Sequence, residues 1–419
     1  AEGQPKPLPA TRRRHWGRSG GAGLSASQSH LFYRLAKVAK DAKIAKDAKI
    51  VKEASEMTNP FTPTFGVIPA HMAGREHIIS ELIRALEAGP GDPGLTTILT
   101  GARGTGKTAL LSYLADEASS RGWVAVNVSA LPGMLDEILQ QTLRNSSHLI
   151  ERKGAFKLSG IKVADLAEIQ FQSADNDHPT WRIRMEEALG QLAEADAGLL
   201  ITVDEVREDL DEMVQLASVF QHFVRDRRRV ALFMAGLPTH VNGLLQNKSV
   251  SFLRRANFHE LGVVSDFDIE QAMRKTIEDG GRGVSPEALS RAVQLTAGFP
   301  YMMQLVGYRA WNESPERDDV TLEDVDSGGL YARNDLQRKV FDTTFCELSK
   351  GDVRFLAAML DDEGPSALAD IARRMEKKSN YASQYKRRLM EQGLLVDNGQ
   401  GTVRIALPMF KDYLRERLG

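Results

Sequence analysis

Apolar positions change their spacing along this chain, and the changes divide it. Residues 1–29 are rich in Pro, Gly, Ser and Arg without apolar periodicity, which predicts disorder. From Leu31 to Glu56 an Ala/Lys-rich run predicts a helix; in it AKDAKI occurs twice in tandem, and Lys37, Lys40, Lys43, Lys46, Lys49 and Lys52 recur every third position. That spacing drifts round the helical turn, so the lysines spiral instead of forming one stripe. The reading is a solvated linker helix, with an arm for nucleic acid or an acidic partner as the alternative. Asn59-Pro60-Phe61-Thr62-Pro63 then punctuates the chain where the folded body begins.

An amphipathic pattern from about Arg75 to Leu86 predicts a helix, and a Gly/Pro loop follows at Gly89–Gly94. Short β-rich apolar runs at Thr96–Thr100, Trp123–Val128, Leu199–Val203 and Arg229–Ala235 alternate with helical segments as far as about Leu261. That alternation predicts an α/β unit with a parallel sheet covered by helices. From Ser265 to about Gly329 the pattern is helical only, with Ile269–Ile277, Pro286–Leu295 and Pro300–Ala310 as members. A connecting helix near Leu336–Leu348 leads to helices at Lys350–Leu360, Ala367–Met375 and Asn380–Gln392. Strands at Leu394–Val396 and Val403–Ala406, joined by an Asn398-Gly399 turn, and a last helix complete the pattern of a winged helix. The expected units are a basic arm and Lys/Ala helix at 1–58, the α/β unit at 59–262, a helical lid at 263–335 and the winged helix at 348–419.

Composition narrows the class. With 419 residues, 42% apolar and 26% charged, the chain reads as a globular protein of several domains. The net charge is −2, yet residues 1–60 carry twelve Lys/Arg against five Asp/Glu, which leaves −9 for the rest. A basic arm precedes a mildly acidic body, so only a local basic surface can serve nucleic acid. The single cysteine, Cys346, excludes an intrachain disulfide and any multi-cysteine metal site. The longest apolar candidate, Val230 to Leu237, is strand-sized and far short of the roughly 18–20 residues of a membrane span. Arg12-Arg13-Arg14 is followed by Gly and Ser, not by the apolar core of a signal peptide. A cytoplasmic protein without membrane contact is the expectation.

The candidate chemistry begins at the end of the first strand. Gly101-Ala102-Arg103-Gly104-Thr105-Gly106-Lys107-Thr108, followed by Ala109, satisfies G-x-x-x-x-G-K-[ST] between a predicted strand and a predicted helix. Glycines let successive backbone N–H groups turn toward phosphates, and the helix adds its positive end. Lys107 is suited to the β- and γ-phosphates and the Thr108 hydroxyl to Mg²⁺. A second run, Leu199-Leu200-Ile201-Thr202-Val203-Asp204-Glu205, ends an apolar strand in two acids. Asp204 there would hold a Mg²⁺-bound water, and Glu205 would orient or deprotonate the attacking water.

With these phosphate-binding and acidic motifs (Walker A and Walker B), the chain from about Asn59 onward resembles the AAA+ group of P-loop ATPases. It looks most like the branch that holds relatives of origin-recognition proteins and the signal-transducing STAND ATPases. Ala73-Gly74-Arg75-Glu76 matches the Gly-Arg-Glu box of such domains, which implies that Arg75 lies near the adenine, with Phe65 and its neighbours to Pro69 as apolar contacts. The resemblance implies a polar sensor at the end of the fourth strand, where this chain has Ala235-Gly236-Leu237-Pro238, so slow hydrolysis is expected. Phe252-Leu253-Arg254-Arg255 falls where the group carries its arginine finger, which implies contact with a neighbouring subunit's nucleotide in a homo-oligomer. Gly298-Phe299-Pro300 resembles the lid's Gly-x-Pro motif, which places Pro300 at the nucleotide; Tyr301 stands near where many members have an arginine.

Between Ala372 and Arg388 seven basic residues face one acid, Glu376. In a DNA-binding winged helix the third helix enters the major groove, so Asn380 and Gln384 would meet base edges and Lys386, Arg387 and Arg388 phosphates. A hairpin expected at Phe156–Gln172 has no composition that selects DNA over protein. The reading is an ATP- and Mg²⁺-dependent switch coupled to double-stranded DNA. The alternative is a STAND-type signalling or defence regulator whose winged helix binds a protein.

Overall fold

The computed structural model describes residues 58–64, 66–152 and 178–419; the arm, Phe65 and the expected Phe156–Gln172 hairpin lie outside them. Five strands form the central sheet: β1 (Thr96–Thr100), β2 (Trp123–Ser129), β3 (Gly198–Asp204), β4 (Val230–Gly236) and β5 (Asn257–Glu260). They are all parallel, in the order β2-β3-β4-β1-β5. Helical connections force this direction, because parallel neighbours need a crossover. β5 was not expected. Its Asn-Phe-His-Glu sequence has no apolar run, and at the sheet edge beside β1 all four residues are half-buried or exposed.

Alternation along the strands divides the core into two layers. Leu199, Ile201 and Val203 of β3 and Leu232 and Met234 of β4 face one cluster, with helices α3 (Met134–Arg152), α4 (His178–Glu194) and α5 (Asp211–Arg225). Leu200 of β3 and Ala231, Phe233 and Ala235 of β4 face the other, against α1 (Glu76–Ala88) and α2 (Lys107–Ser120). Both faces are buried, which is why these strands read as continuous apolar runs. All parallel strands end on one side, where the phosphate loop follows β1 and Asp204 closes β3.

After α6 (Pro238–Gln246) and β5, the segment expected as the lid contains α7 (Asp266–Asp279), α8 (Pro286–Thr296), α9 (Pro300–Glu313) and α10 (Leu322–Leu336). Ser265 and Ser285 cap α7 and α8, and Thr321 forms a capping box with Asp324. The all-helical expectation needs a correction: β6 (Gly283–Val284) and β7 (Asp319–Val320) pair in parallel. The buried Arg282 holds the loops together by donating to the carbonyls of Trp311, Ser314 and Asp319.

A π turn at Gln337–Phe341 carries α10 into α11 (Asp342–Cys346). Phe341 packs against Phe410 and Tyr413, each at 5.3 Å between ring centroids, so one apolar cluster runs from the lid into the last unit. That unit comprises α12 (Lys350–Ala357), β8 (Ser366–Ala367), α13 (Leu368–Arg374), α14 (Ser379–Glu391), β9 (Leu395–Gly399), β10 (Thr402–Ile405) and α15 (Phe410–Leu418). Its sheet is antiparallel, in the order β8-β10-β9. The two-residue β8 is an addition, and the hairpin turn is shifted. Thr402 pairs with Gly399, so Gln400-Gly401, both at positive φ, make the turn instead of Asn398-Gly399.

Candidate functional site

Lys107 opens α2, and Gly106 precedes it in a left-handed conformation that lets the helix start abruptly after the loop. The Lys107 ammonium donates to the carbonyls of Gly101 (2.9 Å) and Ala102 (2.8 Å). Burial pulls its pKa down, against the opposing pull of Glu205 and Asp204. One residue on, the Thr108 hydroxyl donates to Asp204 Oδ2 at 2.5 Å, joining the start of α2 to the end of β3. Glu205 follows with φ 55°, a left-handed conformation for a non-glycine residue, and its N–H donates to Asp204 Oδ1 at 2.8 Å. That turn leaves the Glu205 side chain exposed at the same cavity as Lys107 and Thr108.

The cavity, about 410 Å³, lies between the phosphate loop, the segment before α1 and the start of α9. Arg75, at the N-terminus of α1, lines it and donates through Nη2 to the carbonyls of Gly262 (2.9 Å) and Thr105 (3.4 Å). Burial lowers the Arg75 pKa, and Glu76 and Asp268 pull the other way. Pro300 and Tyr301 line the lid side, and burial raises the Tyr301 pKa. Gly104 lies so close under this segment that an added Cβ would come within 2.5 Å of Phe299 Cζ. The loop tip and the lid are therefore in contact.

Most of the expected site residues meet at this cavity: Arg75, Arg103 to Ala109, Glu205 and Pro300 line it, with Asp204 behind Thr108 and Gly101 and Ala102 behind Lys107. Phe65 lies outside the described residues. Arg254 and Arg255 are exposed, away from the cavity, and Arg254 Nε donates to the Leu245 carbonyl. Met303 and Gln304 were missed, although both share a face of α9 with Pro300 at helical spacing. Gln304 Oε1 accepts the Thr62 N–H at 2.9 Å and so ties the lid to the segment before α1.

Oxygen donors at Thr108 and Asp204, with a carboxylate at Glu205, suit a cation that takes its remaining ligands from water and phosphate. Among the described residues no group of three or more His, Cys, Asp or Glu forms a self-contained metal cage. That donor set fits Mg²⁺ delivered with a nucleotide.

On α14, Ala382 and Leu389 face the core, which turns Asn380, Gln384 and Arg387 to the exposed opposite side. Two expected phosphate contacts need revision. Lys386 Nζ pairs with Asp397 at 2.6 Å, and Arg388 pairs with the buried Asp352 while donating to Ser349 Oγ. Arg374 is likewise held by Asp362 and Arg373 by Asp370. The basic run read from the sequence is thus largely neutralised within the unit. Among the described residues Lys378 and Arg404 form no ion pair, and both are exposed.

Residues 71–234 match the model of an AAA ATPase domain, and residues 338–414 match a domain of unknown function, DUF8462. No curated protein shows significant sequence similarity to the chain. Among solved structures, the Walker-type ATPase of Pyrococcus abyssi is similar over 82% of this chain and 96% of its own, at 14% identity and TM-score 0.57. The ORC2 protein of Aeropyrum pernix, solved as ADPNP–ADP complexes, is similar over 84% of this chain and 95% of its own, at 15% identity and TM-score 0.54. At such identities the likeness is one of fold. Phosphate loop, acidic strand end and family match agree: residues 71–234 match the AAA ATPase domain, in a chain with the α/β fold of P-loop AAA+ ATPases.

Proposed function

We propose that this chain binds ATP with Mg²⁺ in the cavity between phosphate loop and lid, hydrolyses it slowly, and uses nucleotide state to control DNA binding by a C-terminal winged helix. The convergence of Lys107, Thr108 and Glu205 on one cavity, with Asp204 bonded behind Thr108, carries the reading. Lys107 opposes the β- and γ-phosphates, and Thr108 and Asp204 hold the Mg²⁺, directly and through water. The metal supplies charge neutralisation at the phosphates. Glu205 accepts the proton of the attacking water. Slow turnover follows from the apolar Ala235-Gly236 at the end of β4 and from Tyr301 after the lid proline. The fold's likeness to an ORC2 protein solved with ADPNP and ADP supports a nucleotide in this cavity. Arg254 and Arg255, exposed and away from their own cavity, suit a finger offered to a neighbouring copy.

Asn380 and Gln384 would read bases, and Arg387, Lys378 and Arg404 would meet phosphates. A second reading, docking of a protein, is favoured by the column on the adjoining face of α14. There Lys377 lies over Tyr381, Tyr381 packs on Tyr385 at 4.8 Å, and Arg388 lies over Tyr385. Tyrosine and arginine are enriched among the few residues that carry most of the binding energy at protein interfaces. The test is DNA affinity of the full chain with ATP, ADP and no nucleotide, at two salt concentrations. Nucleotide-dependent, salt-sensitive binding is expected; its absence at low salt transfers the function to the protein reading.

A further inference from the structure

We propose that Arg103, at the tip of the phosphate loop, contacts the terminal phosphate of a triphosphate bound in its own chain and so sets the preference for ATP over ADP. The inference rests on the reading of the cavity as an ATP site.

Arg103 stands apart from the other cations of the cavity. The basic side chains lining the cavity are His71, Arg75, Arg103 and Lys107. His71 Nε2 is 2.7 Å from Asp279. Arg75 is committed to the Gly262 and Thr105 carbonyls, and Lys107 to those of Gly101 and Ala102. Arg103 is exposed and makes no hydrogen bond or ion pair among the described residues. A guanidinium at a cavity wall without a carboxylate or carbonyl partner is a fork of donors aimed at no protein acceptor, and phosphate oxygens match that fork bidentately.

Its place in the loop selects the terminal phosphate. Arg103 is close enough to Lys107 for its charge to act on the ammonium, and Lys107 is the residue that meets the β- and γ-phosphates. The next residue, Gly104, is pressed against Phe299 of the lid. From the lid, Gly298 to Tyr301 bring no cation to this junction, and Ala235-Gly236 bring none from the end of β4. A diphosphate neutralised by Lys107 and the loop N–H groups leaves Arg103 without a ligand, whereas the additional phosphoryl group of a triphosphate supplies one.

The test is calorimetric titration of the full chain, with Mg²⁺, by ADP and by a non-hydrolysable ATP analogue. For Arg103→Ala the triphosphate affinity is expected to fall about tenfold to a hundredfold, the range of a charged hydrogen bond, and ADP affinity to change by about twofold or less. Retained ADP binding also certifies the fold of the variant. Arg103→Lys should recover part of the loss, because it restores the charge without the fork. Equal weakening of both nucleotides, or of neither, overturns the role of Arg103 while leaving the ATP site intact. A parent chain that binds neither nucleotide overturns the ATP reading and this inference with it.

Discussion

Lys107 and Glu205 illustrate how much a single position carries. Lys107→Ala removes the ammonium that opposes the phosphates and leaves the Gly101 and Ala102 carbonyls without their donor. Nucleotide binding should be lost, as read by titration, with a modest loss of folding stability of the order of one hydrogen bond, about 1 kcal/mol. Glu205→Gln preserves shape and removes the base. Its nucleotide affinity should stay near that of the parent while single-turnover hydrolysis slows by about a hundredfold or more. Hydrolysis at the parental rate would take the base assignment away from Glu205. The left-handed backbone at Glu205 was invisible in the sequence, since a φ of 55° at glutamate depends on the turn that Asp204 Oδ1 holds with its hydrogen bond.

At the scale of elements, α14 separates readers from braces. Asn380→Ala or Gln384→Ala should change DNA sequence preference with little effect on salt dependence. Arg387→Ala with Arg404→Ala should lower the slope of log affinity against log salt by about one to two. Lys386→Ala and Arg388→Ala should instead lower the Tm, because they break the ties to Asp397 and to the buried Asp352. A slope that falls equally with both pairs would argue against this division. The Asp362–Arg374 pair gives the same unit a pH dependence. Two guanidinium hydrogen bonds, at 2.6 and 2.7 Å, hold the Asp362 pKa at about 2, below its ordinary 3.8. The pair therefore stabilises fully above about pH 4, and its contribution is lost as pH falls toward 2. Thermal unfolding followed from pH 5 downward should show less acid sensitivity in Asp362→Asn than in the parent.

Across the whole molecule, the segment after β4 meets the C-terminal unit directly. The Thr239 hydroxyl donates to the Met390 carbonyl at 2.8 Å, and Leu237 lies against Gly393, where an added Cβ would come within 2.8 Å. Gly393 also has φ 73°, so alanine is strained there on both counts. Gly393→Ala should loosen this seam and raise protease sensitivity between the ATPase domain and the last unit, with the Lys107 site still able to bind nucleotide. Unchanged proteolysis would show that the seam contributes little to holding the units together. Between copies, turnover per chain should rise with protein concentration in the parent and stay flat in an Arg254→Ala/Arg255→Ala double variant. A concentration-independent parental rate in a monomeric sample would count against the finger.

The buried strands and the phosphate loop were legible because their signals are local. β1, β3 and β4 are covered on both faces, so their apolar runs stand out, and the loop's chemistry lies within eight consecutive residues. Asp204-Glu205 could be read for the same reason, as the polar end of an apolar strand. β5 could not, because its four residues are only half-buried or exposed and form no apolar run; nor could β8, two residues that exist as strand only through β10. The partners of charged side chains were also beyond the sequence. Lys386 and Arg388 read as free cations next to Arg387, and only the folding of Asp397 and Asp352 toward α14 paired those two, whereas Arg387 meets Glu391 one turn along its own helix at 3.7 Å. Which cations remain open to a ligand is a property of charge pairs distant in the chain, so tertiary structure alone decided it.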